Sequence, residues 1–190
     1  MGDSYKSYIA LDDLITGTNC IPYTQDLPSF SLAPTTTTSF PLTKLACDFE
    51  CNCPCSWNFD LTGTTNWLIK QGGSGNILTG PSADHTLQSS YGHYAYMLTE
   101  TSILINSAAR LMSPTLNLGI SGMCLQFFYH MYGSNINRLN IYAKQNDNLG
   151  KPIWQKIGDQ GNKWILGQVY LEQLGNIQLV IEAVAGNGLR

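Results

Sequence analysis

Apolar and polar positions alternate in short runs along most of this chain, and turn-forming residues divide the runs. In one run Leu139, Ile141 and Ala143 alternate with Arg138, Asn140 and Lys144. A two-residue period puts each set on its own face of a strand, one face buried and the other wet. Tyr94, Tyr96 and Leu98 repeat the pattern. The runs Cys124 to Met131, Trp164 to Tyr170 and Ile177 to Val184 have strand length and are bounded by Gly, Asn, Ser and Pro clusters. No segment calls for a helix, so the pattern predicts an all-β fold of two stacked antiparallel sheets, a β-sandwich.

The pattern breaks down over residues 21–45. Pro22, Pro28, Pro34 and Pro41 surround the run Thr35, Thr36, Thr37, Thr38 and Ser39, with no apolar period that would bury a face. The stretch reads as a linker between a short leading segment, 1–20, and a body, 46–190. In a secreted chain Thr35, Thr36, Thr37 and Thr38 are candidates for O-glycosylation, and a plain solvated tether has the same composition. No Asn-x-Ser/Thr acceptor occurs.

With 190 residues the expectation is one sandwich domain plus a peripheral segment. Charged residues make up 12% of the chain and the formal net charge is −3. No basic surface is available to neutralise phosphates, which argues against nucleic acid as a partner. The apolar run from Ile177 to Ala185 is broken by Gln178 and Glu182, and no run approaches the roughly 20 residues that span a bilayer. Residues Met1 to Asp13 show no basic stretch followed by an apolar one, so the expectation is a fragment or a chain whose leader has been removed.

Four of the six cysteines, Cys47, Cys51, Cys53 and Cys55, fall within nine residues, while Cys20 and Cys124 stand apart. Four thiols can hold zinc, but here they would have to wrap one ion without a spacer. As disulfides they place the chain in an oxidising, extracellular compartment. His85, His93 and His130, with Asp48, Glu50 and Glu100, are the residues from which an acid/base pair would come. No nucleophile motif, phosphate loop or HExxH helix accompanies them, and His130, between Tyr129 and Met131, reads as a hydrogen-bonded structural histidine. The chain is read as no enzyme.

Further motifs carry a family resemblance across 47–190. Cys47-Asp48-Phe49-Glu50, Cys55-Ser56-Trp57, Asn66-Trp67, Gly80-Pro81, Asp84-His85-Thr86, Ala109-Arg110-Leu111 and Ser113-Pro114 come first. Cys124-Leu125-Gln126-Phe127, Tyr129 to Gly133, Trp154, Gly158 to Gly161, Trp164 and Ile181-Glu182-Ala183 follow. In this order they resemble the MAM domain family. The resemblance implies a jelly-roll sandwich used extracellularly, in matrix or at cell surfaces, for adhesion and assembly.

The chain departs from the family at its ends. Domains similar to this one close with a strand reading Ile-Ala-Leu-Asp-Asp-Ile and a final cysteine. Here that motif stands first, as Tyr8-Ile9-Ala10-Leu11-Asp12-Asp13-Leu14, with Cys20 after it. The resemblance therefore implies that residues 46–190 lack their last strand and that residues 5–20 can supply it. An open slot of unpaired backbone has to be filled. A neighbouring copy could donate the strand and build a filament or tandem array; the chain could be a cut repeat; or the strand could fold back.

The resemblance also pairs Cys47 with Cys55 and Cys20 with Cys124. Cys51 and Cys53 are left to bond across one residue, to shuffle with their neighbours, or to bond another chain. It brings Glu50, Asp84 and Asp13 toward one edge, where they are candidate ligands for a structural Ca²⁺; no other cofactor is expected. Expected partners are other copies or adjacent MAM repeats. The rival reading is a carbohydrate-binding jelly roll, with Tyr91, Tyr94, Tyr96, Tyr129, Tyr132, Trp154 and Trp164 as a stacking platform for glycans.

Overall fold

The computed structural model describes residues 7–17, 20, 45–99, 105–118, 122–172 and 175–186. Among the described residues, ten strands make two five-stranded antiparallel sheets: β1 (Ser7–Gly17), β2 (Asn58–Asp60), β3 (Leu68–Gln71), β4 (His93–Thr99), β5 (Ala108–Leu118), β6 (Met123–Tyr132), β7 (Ile136–Lys144), β8 (Trp154–Ile157), β9 (Ile165–Leu171) and β10 (Gly175–Ala185). One sheet runs β3-β4-β1-β6-β9 and the other β2-β5-β10-β7-β8. The architecture is the expected disulfide-bonded jelly-roll sandwich. Among the described residues no helix is long and apolar enough to cross a membrane. Most of the linker, including Thr35 to Thr38, lies outside the described residues; Leu45, its last residue, is fully buried in the core.

Alternation sets the core. Ile9, Leu11, Ala95, Met97, Leu125, Phe127, Tyr129 and Met131 point inward from one sheet, and Ala109, Leu111, Leu139, Ile141, Leu179, Ile181 and Ala183 from the other. Trp57 and Trp67 join this core, their indole N–H groups donating to the carbonyls of Leu45 at 2.8 Å and Ile181 at 3.4 Å.

β5 carries Pro114 in mid-strand. The pairing with β10 shifts between Gln178 and Val180, opposite Ser113 and Pro114. At this bulge the Ser113 Oγ accepts the Leu179 N–H at 2.9 Å, and the Gln178 amide donates to the Ser113 carbonyl at 2.7 Å. Side chains thus replace ladder bonds that proline cannot make.

Candidate functional site

The predicted donor strand is the centre of a sheet. β1 lies between β4 and β6: Tyr8 faces Leu98 and Tyr132, Ala10 faces Tyr96 and His130, and Leu11 faces Ala95 and Tyr129. In this structure the strand completes its own chain's sheet. Ile9, Ala10 and Leu11 are fully buried and Leu14 nearly so. Both faces of β1 are covered, because the loop over residues 72–92 lies on the side away from the core. The Tyr8 N–H donates to Thr79 Oγ1 at 3.0 Å, and a Cβ on Gly80 would stand 2.9 Å from the Tyr8 ring.

The strand ends in an acidic turn. Its register shifts between Asp12 and Ile15, where Asp13 adopts φ of 46°. Asp12 is fully buried. Its Oδ1 accepts the Asp13 N–H at 2.8 Å and its Oδ2 accepts the N–H groups of His85 at 2.8 Å and Thr86 at 3.4 Å. Burial first, then the neighbouring Asp13 charge, pushes the Asp12 carboxyl up to about 8, against the downward pull of those amides. Asp13 pairs with the His85 ring at 2.5 Å and accepts the Thr86 hydroxyl at 2.7 Å. Past the turn, Leu14 exchanges two backbone hydrogen bonds with Cys47, at 2.8 and 2.9 Å.

All six cysteines are paired: Cys20 with Cys124, Cys47 with Cys55 and Cys51 with Cys53. The first bond ties Cys20, three residues past the end of β1, to the start of β6. Among the described residues, the group of three metal-ligand side chains with atoms within 4.8 Å of one another is Cys51, Cys53 and Cys55. All three are bonded as disulfides, not held as zinc thiolates.

Glu50, Asp84 and Asp13 do not converge in this way. Glu50 accepts the His93 N–H at 2.9 Å and approaches the His93 ring at 3.4 Å. Asp84 accepts the Leu87 N–H and, at 2.9 Å, the Ser89 N–H. Calcium takes about six to eight oxygens around one point, and these three carboxylates are each turned to separate local donors. The residues present do not fit a single calcium cage.

His130 is nearly fully buried, with Nε2 3.1 Å from Asn162 Oδ1, and burial lowers its pKa to about 4. His85, His93 and His130 each have a different partner, and Glu100 lies outside the described residues. The aromatic residues do not form an exposed platform. Tyr94 and Tyr129 are buried, Trp154 packs edge-on to Phe127 and Tyr129, and Trp164 edges onto Tyr94 and His130. Tyr91 is the strongly exposed ring of the set.

Sequence reasoning passed over a polar row across the other sheet. Asp60, Arg110, Glu182, Asn140 and Gln155 align in register on β2, β5, β10, β7 and β8. Glu182 accepts from Arg110 at 2.8 Å and from Asn140 and Tyr142 at 3.0 Å. The available signal was Glu182 itself, a charge inside an apolar run.

The family model described as "MAM domain, meprin/A5/mu" matches residues 47–190. Neuropilin-1a of Danio rerio is 36% identical over 146 residues, covering 73% of this chain and 15% of that protein. MAM domain-containing glycosylphosphatidylinositol anchor protein 2 of Mus musculus is 32% identical over 157 residues, covering 75% of this chain and 16% of that protein. The chain thus spans about a sixth of the length of these relatives. Among solved structures, the K1 cleaved adhesin domain of Lys-gingipain from Porphyromonas gingivalis W83 aligns with a TM-score of 0.41 at 14% identity, covering 72% of this chain and 92% of that one. That likeness is too distant to carry an argument.

Proposed function

The chain belongs to the MAM domain family, and from that premise we propose that it is an extracellular adhesion-type module that links to neighbouring copies through its N-terminal strand. The observation that carries this reading is the position of β1: central in its sheet, fully buried in its middle, yet remote in sequence from both strands it pairs with. Ladder bonds, apolar contacts and the Cys20–Cys124 disulfide hold it there. Every one of those contacts is available to the same residues of a second copy.

Reach permits either source. Between Cys20 and Cys47 lie 26 residues, enough to extend roughly 85 Å against a domain about 35–40 Å across. A tether of that length gives the chain's own strand an effective concentration of about millimolar. Donation between copies competes when domains are crowded to a similar level, as in tandem repeats or on a surface. Three disulfides suit an oxidising compartment, and the anchor named in one relative is a device of the outer cell surface.

The test is to fold light and heavy-nitrogen-labelled chains together at high concentration, digest without reduction, and weigh the peptides joined by Cys20 and Cys124. Donation between copies gives hybrid light-heavy pairs at their statistical share. Pairs of uniform label alone would leave an adhesion module that closes on itself.

A further inference from the structure

The segment from Cys47 to Cys55 holds two nested disulfides whose sulfurs crowd together. The Sγ atoms of Cys51, Cys53 and Cys55 lie within 4.8 Å of one another. Cys51 and Cys55 are exposed and Cys53 is partly so, whereas Cys47, bonded to Cys55, is buried in the core. Three non-glycine residues here, Phe49, Asn52 and Cys55, have φ between 55° and 58°. That left-handed conformation is disfavoured for side-chain-bearing residues, so the cross-links and local turns hold a backbone that would relax if released.

We propose that Cys51–Cys53 is a modification site for low-mass thiols, and that its opening is relayed to Cys47–Cys55. The external thiolate attacks Cys51 Sγ, a mixed disulfide forms, and Cys53 leaves as the thiolate. A second thiol completes the reduction, so two electrons pass to Cys51 and Cys53 while the two reagent thiols become a disulfide. The new Cys53 thiolate stands within reach of Cys55 Sγ. Its attack forms Cys53–Cys55 and expels Cys47 as a thiolate, an isomerisation with no net electron change.

Three features set the order. Cys51–Cys53 closes the shortest ring of the three, with a sequence separation of 2 against 8 for Cys47–Cys55 and 104 for Cys20–Cys124, so opening it surrenders the least chain constraint. Its sulfurs are reachable, whereas Cys124 is fully buried in β6. Opening it also leaves every strand pairing intact. Because Asp48 and Glu50 flank the site and repel anions, an uncharged dithiol is the suitable probe.

The experiment treats the folded, full-length protein with dithiothreitol for increasing times, quenches by alkylation, and maps modified and linked cysteines by mass spectrometry. Cys51 and Cys53 are expected to be alkylated at least about tenfold faster than Cys20 and Cys124, with Cys53–Cys55 peptides and alkylated Cys47 following. In the Cys51→Ser, Cys53→Ser double variant, Cys47–Cys55 is expected to open at least about tenfold more slowly than in the parent. Opening of Cys51–Cys53 no faster than Cys20–Cys124 in the parent protein overturns the proposal, whether or not the variant folds. Equal opening of Cys47–Cys55 in a folded variant overturns the relay.

Discussion

Replacing Leu11 with alanine tests whether β1 is part of the core. Leu11 is fully buried, and its inward-facing sheet neighbours include Ile9, Ala95 and Tyr129. Truncation removes three carbons from water-excluded surroundings and leaves a cavity between two sheets that cannot close without moving both. Such changes cost about 3–5 kcal/mol. In a domain of this size each kcal/mol lowers the melting temperature by roughly 2–4 °C, so a fall of roughly 6–20 °C is expected. Ile15 on the same strand is 45% exposed, and its truncation should stay within about 1 kcal/mol. Guanidinium titration of the oxidised protein, read by tryptophan fluorescence, measures both. Since β1 makes the same contacts in its own sheet or a neighbour's, the cost does not depend on which chain supplied it. A loss below about 1 kcal/mol for Leu11→Ala would refute the packing argument.

Three further outcomes follow from named groups. Burial lowers the His130 pKa to about 4 in the folded protein, from the ordinary 6.5; the folded state binds fewer protons, so stability present above pH 6.5 is lost as pH falls toward 4. The loss is about 3 kcal/mol, and in His130→Gln this acid-limb slope should vanish from denaturant melts. Asp12 runs the other way: with its carboxyl raised to about 8, stability present below about pH 4 is lost as pH rises through 8, and Asp12→Asn should flatten that slope. The two trends oppose each other in the overlap of their windows, so the variants resolve what the parent protein conceals. Glu182→Ala strands donors on Arg110, Asn140 and Tyr142; because Arg110 is partly exposed, the expected cost is about 2 kcal/mol by thermal melting, with Asp60→Ala near neutral as the control.

Much of the fold was legible because its central strands are periodic. The stretches at β4, β6, β7, β9 and β10 each show the alternation or apolar run that the sandwich requires. β5 was seen only as motifs: Pro114 breaks its pattern, and only the bulge opposite Gln178 and Val180 makes a proline tolerable there. β2, β3 and β8 have three or four residues of mixed polarity on sheet edges, where no period can declare itself. β1 was visible through the family resemblance, since seven residues read alone do not reveal a strand buried on both faces.

The site was legible in part for a related reason. The family resemblance implied that Glu50, Asp84 and Asp13 share an edge, but which donors a carboxylate faces depends on loop backbone, and the amides of Leu87, Ser89 and His93 are invisible in composition. Asp12 was counted within the strand, not as the buried acid, because the loop that buries it lies 73 residues away at His85. The disulfides were anticipated from the family. That three of their sulfurs would crowd together depended on the left-handed turns at Asn52 and Cys55.

Residue-resolved hydrogen exchange on the native, oxidised protein tests the central claim most directly. The amides of Ile9, Ala10 and Leu11 should be protected to the same degree as their ladder partners on β6, Tyr129 to Met131, because one cooperative sheet must open to expose either. If those β1 amides exchange at the rate of an unstructured tether while β6 and β10 stay protected, the strand does not complete the sheet and the account fails.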